Sequence, residues 1–164
     1  MVGGKGQAAM EYLMTYGWAL LVIVIVIAIL LIMNPFSAPQ SCRFDQIGFT
    51  CDAPALAATG QLYVRVTNGN NNAVKVYDVK CTQAKSSSAP VSTATAYKLV
   101  QRQDFYQLND SNVVKCTDAT GATLASLAKG TEFSGKVWVY YRNEEDGSDY
   151  PMRTASANLV TKVV

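Results

Sequence analysis

Glu11 is the side chain whose chemistry is most out of place in this chain. It is a carboxylate set beside Met10, Tyr12, Leu13 and Met14, at the head of an apolar run with no other charge through Met33. At a bilayer centre an acidic side chain costs about 2.5–3.5 kcal/mol, and less near an interface. The positive end of a helix dipole offsets about 0.3–1 kcal/mol of that. Two readings are open. Glu11 sits at headgroup level and merely decorates a helix start, or it meets a positive charge supplied by another copy of the chain. A cut between Gly6 and Gln7, just after Lys5, would create that charge as a new α-amine on Gln7. In apolar surroundings an unpaired charge is expensive, so such a pairing would select one axial register between stacked helices. An N-terminal glutamine that cyclises loses its amine, and Glu11 would then pair otherwise.

The remaining reactive residues exclude more than they offer. The chain has no histidine, which removes the commonest general base, the usual activator of a nucleophile and the most frequent transition-metal ligand. The patterns G-x-x-x-x-G-K-[ST], H-E-x-x-H and G-x-S-x-G are missing, so the sequence reads as a non-enzyme without a cofactor. Four cysteines, Cys42, Cys51, Cys81 and Cys116, all follow the apolar run, and none forms a C-x-x-C pair. Disulfides are favoured over free buried thiols, with a metal site least favoured. Disulfides would place residues 42–164 outside the cytoplasm. Four cysteines allow three connectivities; proximity along the chain favours Cys42–Cys51 and Cys81–Cys116. The net charge of +2, with no two basic residues adjacent, leaves no electrostatic footprint for nucleic acid.

Two materials position these residues. From Trp18 to Met33 every residue is apolar, and the stretch Tyr12 to Met33, 22 residues, is long enough to cross a bilayer as a helix. Hydrophobicity runs all round, so the helix must be covered on every side by lipid or protein. Asn34-Pro35 is expected to stop it. A secretory signal peptide fits poorly: the apolar run is too long, and NPFSAPQS is a poor cleavage site. Any cut therefore precedes the helix and leaves it attached.

Beyond Cys42 the period changes to two. Leu62, Val64 and Val66 alternate with Tyr63, Arg65 and Thr67; a turn run follows at Asn68 to Asn72, and Val74 and Val76 resume the alternation. A hairpin with a bulge near Tyr77-Asp78 is expected here. Lys136 to Arg142 is a strand, NEEDGSD its turn, and a closing strand runs from about Ser156 to Val164. Shorter strands are expected at Arg43 to Thr50, Ala96 to Gln103 and Val113 to Thr117, with Ala84 to Ala96 a solvent-exposed loop. The predicted fold is α+β: a long N-terminal hydrophobic helix and then an antiparallel, Ig-like β-sandwich of about six strands. The predicted organisation is leader 1–6, helix 7–34, linker 35–41 and β-domain 42–164.

The segment KGQAAMEYLMTYGWALLVIVIVIAIL resembles the N-terminus of archaeal type IV pilins with a class III signal peptide. The likeness covers roughly Lys5 to Met33, under a fifth of the chain, but the order of its elements is specific. Gly6 matches the residue before the cut, Gln7 the first mature residue, and Glu11 the acidic residue five places into the mature helix. Ala9 stands where the motif prefers serine. The resemblance implies cleavage by a membrane prepilin peptidase and assembly by an ATPase-driven platform. It further implies a precursor in the cell membrane and a mature homopolymer outside the cell, used for surface adhesion. The alternative is a monomeric membrane-anchored module that binds something at the surface.

Other features have plainer readings. Glu144, Glu145, Asp146 and Asp149 lack EF-hand spacing and read as a solvated hairpin turn. Asn109-Asp110-Ser111 is the single N-x-S/T sequon, a glycan acceptor if that surface is extracellular. The tyrosines of the β-domain read as half-buried strand residues, and Trp138 as a core or inter-subunit contact and not a ligand platform. Gly17 marks either a close helix approach or a modest loss of helix propensity.

Overall fold

The computed structural model describes residues 4–33, 39–83, 88–118 and 120–164, with the backbone alone at 4–9 and 53. The expected helix stop at Asn34-Pro35, most of the linker and residues 1–3 of the leader lie outside the described residues. The chain divides into two units, Met1–Ser37 and Ala38–Val164. The first carries one helix, α1, Gly4–Met33, and the second is built of strands, which makes the chain α+β.

The strands are β1 (Ser41–Phe44), β2 (Phe49–Leu56), β3 (Gln61–Asn68), β4 (Val74–Thr82), β5 (Lys98–Val100), β6 (Phe105–Leu108), β7 (Val114–Thr117), β8 (Glu132–Asn143) and β9 (Arg153–Lys162). Alternation sets their faces. In β3, Leu62, Val64, Val66 and Asn68 are buried while Arg65 is exposed. In β9, Ala155, Ala157, Leu159 and Thr161 are buried in the same rhythm. The core gathers Leu56, Leu62, Leu108, Leu159, Val74, Val137 and Val139 from both halves of the strand set. Full burial of each such leucine contributes about 1.5–3 kcal/mol.

Hydrogen bonding runs β1-β9-β8-β4-β7-β3-β2, with β5 added on β4 and β6 on β3. The expected hairpin between β3 and β4 is not formed. Both strands exist, but β3 pairs with β2, β6 and β7, while β4 pairs with β8, β5 and β7. Period-two alternation assigns a strand its faces and leaves its partner open. The connection 69–73 leads from β3 to a strand that it does not pair with. The bulge falls where the sequence placed it, between Val76 and Asp78, but against β8.

Arg43 to Thr50 is not one strand either. It breaks at a turn, Asp45–Gly48, where Gly48 takes φ +114° and the Asp45 carboxylate accepts from Ser156 Oγ and Asn158 Nδ2. Ala96 to Gln103 shrinks to β5, β6 had no counterpart in the expected strands, and β2 only its first two residues, Phe49 and Thr50. The pairing is not wholly antiparallel, since β4 and β7 run parallel at Cys81↔Cys116 and Thr82↔Thr117.

Of the loop expected at Ala84 to Ala96, residues 84–87 lie outside the described residues, and the stretch at Pro90 to Ser92 is tied down more than its composition implies. The Tyr140 hydroxyl donates to the Pro90 carbonyl, Lys80 Nζ to the Val91 carbonyl and Ser92 Oγ to Asp78. β8 is accordingly buried on both faces from Val137 to Tyr140.

The candidate assembly helix and the cystine seams

α1 spans 30 residues, and every described side chain from Met10 to Met33 is exposed in the single chain. The stretch Met10–Met33, 24 residues with mean hydropathy 3.0, is long and apolar enough to cross a membrane. No polar stripe exists to mark a solvent face, so the helix alone is unstable in water and needs a cover.

Within that stretch Glu11 is the single charged residue. It borders a shallow hollow with Met10, Met14 and Thr15. The Thr15 hydroxyl donates back to the Glu11 carbonyl at 2.8 Å, which satisfies Thr15 inside the helix and does not involve the Glu11 carboxylate. Tyr12 and Tyr16, one turn apart, bring their rings to 4.9 Å and form an aromatic edge near the same end. Gly17 opens a second hollow lined by Leu13, Met14, Trp18 and Leu21, and a Cβ built on it meets nothing within 4 Å. In the uncut chain α1 already begins at Gly4, so Gln7 lies inside the helical backbone. The side chains of Lys5 and Gln7 lie outside the described residues.

The four cysteines form two cystines. Cys42–Cys51 joins β1 to β2, with Cα atoms 5.7 Å apart, and Cys81–Cys116 joins β4 to β7, at 4.4 Å. These are the two pairings that proximity along the chain favours. The second is fully buried and the first half-buried.

Asn109 sits in the turn between β6 and β7, where its Oδ1 accepts from the backbone N–H groups of Ser111 and Asn112. Asp110 beside it accepts from the Tyr63 hydroxyl and Gln61 Nε2. That bond holds the Tyr63 phenol above its ordinary value. The sequon is thus a braced surface turn. The acidic run at the end of β8 is a turn as well: Asp146 accepts from the Asn143 N–H and pairs with Arg153 at 3.4 Å.

One structural centre was read in the sequence only as the start of a turn, whereas Asn68 is the last residue of β3. Asn68, fully buried, donates through Nδ2 to the carbonyls of Asn72, Val100 and Gln101, and its Oδ1 accepts from the N–H and Nδ2 of Asn70. Asn70 in turn donates to the Gly48 carbonyl. Three connections are pinned to one side chain. The only signal was an asparagine falling on the apolar parity of β3.

Among the described residues no group of three or more cysteine, aspartate or glutamate side chains is arranged to hold a metal. No family model matches the chain, no curated protein is similar to it, and no solved structure matches its fold.

Proposed function

We propose that this chain is the structural subunit of an extracellular filament of the type IV pilin kind, polymerising through α1 and serving surface adhesion. The observation that carries the reading is a helix apolar on every face, exposed along its described length, with one carboxylate near its start. The proposal includes a membrane precursor, a cut between Gly6 and Gln7 by a prepilin peptidase, and handling by an assembly ATPase and platform. In the mature polymer the amine of Gln7 meets Glu11 of another copy. The strand-rich unit, read as an Ig-like sandwich, forms the outer wall, and Asn109 is its glycan acceptor. The subunit is structural and carries no catalytic role.

Lipid already covers apolar surface as well as protein does, so leaving the membrane gains little from the hydrophobic effect. Close packing between helices and the Glu11 pairing must supply the preference for sister copies. A Glu11→Gln chain is therefore expected to be cut normally and to yield filaments at least about tenfold less abundant, because removing one partner of a buried pair leaves the other charge uncompensated at about 3–5 kcal/mol. Normal yield from that variant defeats the assembly role of Glu11.

The same helix length equally suits a single membrane span, which supports a second reading: a monomeric surface module anchored by α1. Mass spectrometry of the native N-terminus and electron microscopy of shed material separate the two. Gln7 as first residue together with fibres supports the filament. An intact leader on a detergent-dispersed monomer supports the anchor.

A further inference from the structure

Ile47 stands at the tip of the β1–β2 turn with 104% relative exposure. A turn tip has no packing use for a branched apolar side chain, yet the backbone beside this one is held in place. The Gly48 carbonyl beside it accepts from the Gly69 N–H and from Asn70 Nδ2, and Asn70 is anchored on the buried Asn68. A preorganised apolar tip lowers the entropy cost of seating it in a partner.

The same domain offers a socket. β4 pairs with β5 through Val76 and with β7 from Cys81, so Tyr77 to Lys80 lack a strand partner on that side among the described residues. A groove of about 450 Å³ covers the gap, lined by Val79, Pro90, Val113 and Val114, with Lys80 and Lys115 beside them. β4 starts at the connection that holds Gly48, and the groove lies along its far half.

We propose that Ile47 of one copy seats in the β4–β7 groove of the next. Tip and socket are different patches of one domain, so the contact is heterologous and propagates along an array of copies instead of closing into a two-fold dimer. Charge supports a second copy as the occupant. The β8–β9 turn, which meets the same group of connections through the bond from the Glu144 N–H to the Ala73 carbonyl, presents exposed Glu144, Glu145 and Asp149. The groove presents Lys115, and its Asp78 is paired with Lys80 at 3.8 Å. This inference rests on the filament reading and adds to it the contact that sets neighbouring β-domains head to tail.

The test places a photo-crosslinking residue at position 47 of the full chain and irradiates native filaments. Adducts are expected on a second copy within residues 78–82, 90–91 or 113–117; adducts elsewhere, or none, overturn the proposal. In parallel, Ile47→Asp is expected to keep both cystines and the wild-type unfolding midpoint while filament yield falls about tenfold, as for loss of an interface anchor. Ile47→Val should assemble normally. Wild-type filaments with Ile47→Asp at full yield sink this contact and leave the filament reading standing. If the unaltered, processed chain forms no filaments, both fall.

Discussion

Cys81 and Cys116 are register partners in the one parallel pair of named strands and are also bonded through their sulfurs, with Cα atoms 4.4 Å apart. Parallel pairing between β4 and β7 lasts two residues, too short to hold by its own hydrogen bonds. The cystine fastens it. Cys42–Cys51 does the same at the other side, joining β1 and β2, the two ends of the strand path. Each cystine therefore ties a strand of the β1-β9-β8-β4 run to a strand of the β7-β3-β2 run.

The two cystines should differ in strength and in access. Their sequence separations are 35 and 9 residues, so in the chain-entropy model they stabilise by about 4 and about 2.5 kcal/mol respectively. Replacing Cys81 and Cys116 by alanine should lower the unfolding free energy of the detergent-held chain by about 1 kcal/mol more than replacing Cys42 and Cys51. Graded reduction followed by alkylation and peptide mass spectrometry should open Cys42–Cys51 first, because that bond is half-buried and the other is shielded.

Asn68 should be intolerant of change out of proportion to its size. Asn68→Ala leaves the carbonyls of Val100 and Gln101 and the N–H of Asn70 without that partner, at about 2–3 kcal/mol. Asn68→Asp places a carboxylate against three carbonyls and should cost more. Denaturant midpoints of the two variants check the order, and Asn70→Ala should fall below both in effect, since Asn70 is only half-buried.

Alkali should destabilise the β-domain through particular phenols. Tyr140 and Tyr106 are raised above the ordinary tyrosine value first by burial and then by the negative charge of Asp78, and Tyr63 first by its hydrogen bond to Asp110. A folded value above the unfolded one, about 10, means that these groups support the fold fully below that pH. Their support is lost as pH rises through the folded values. Stability should hold through neutral pH and then decline above about pH 10. Ultraviolet titration of phenolate should show a late-titrating set, and Tyr63→Phe should remove one member from it. An unchanged titration curve in that variant refutes the assignment.

Some of the architecture was legible residue by residue. The run from Trp18 to Met33 could only be a helix needing cover on every side, because no placement of its side chains leaves a polar face. Leu62-Val64-Val66 and Val74-Val76 declared strands and their inward faces, since alternation is a property of the extended backbone itself. Four cysteines after the apolar run pointed to two bonds and to an oxidising compartment.

Partnership belonged to the tertiary structure. That β3 turns away from β4, that a two-residue parallel contact holds Cys81 to Cys116, and that Pro90 and Ser92 lie across β8 and β4 all depend on which surfaces meet in three dimensions. A strand's alternation is the same whichever neighbour it bonds. The choice is made by the total apolar area buried and by buried polar groups such as Asn68, which find their acceptors more than thirty residues away at Val100 and Gln101. Local patterns report what a segment must hide; only the assembled fold decides what hides it.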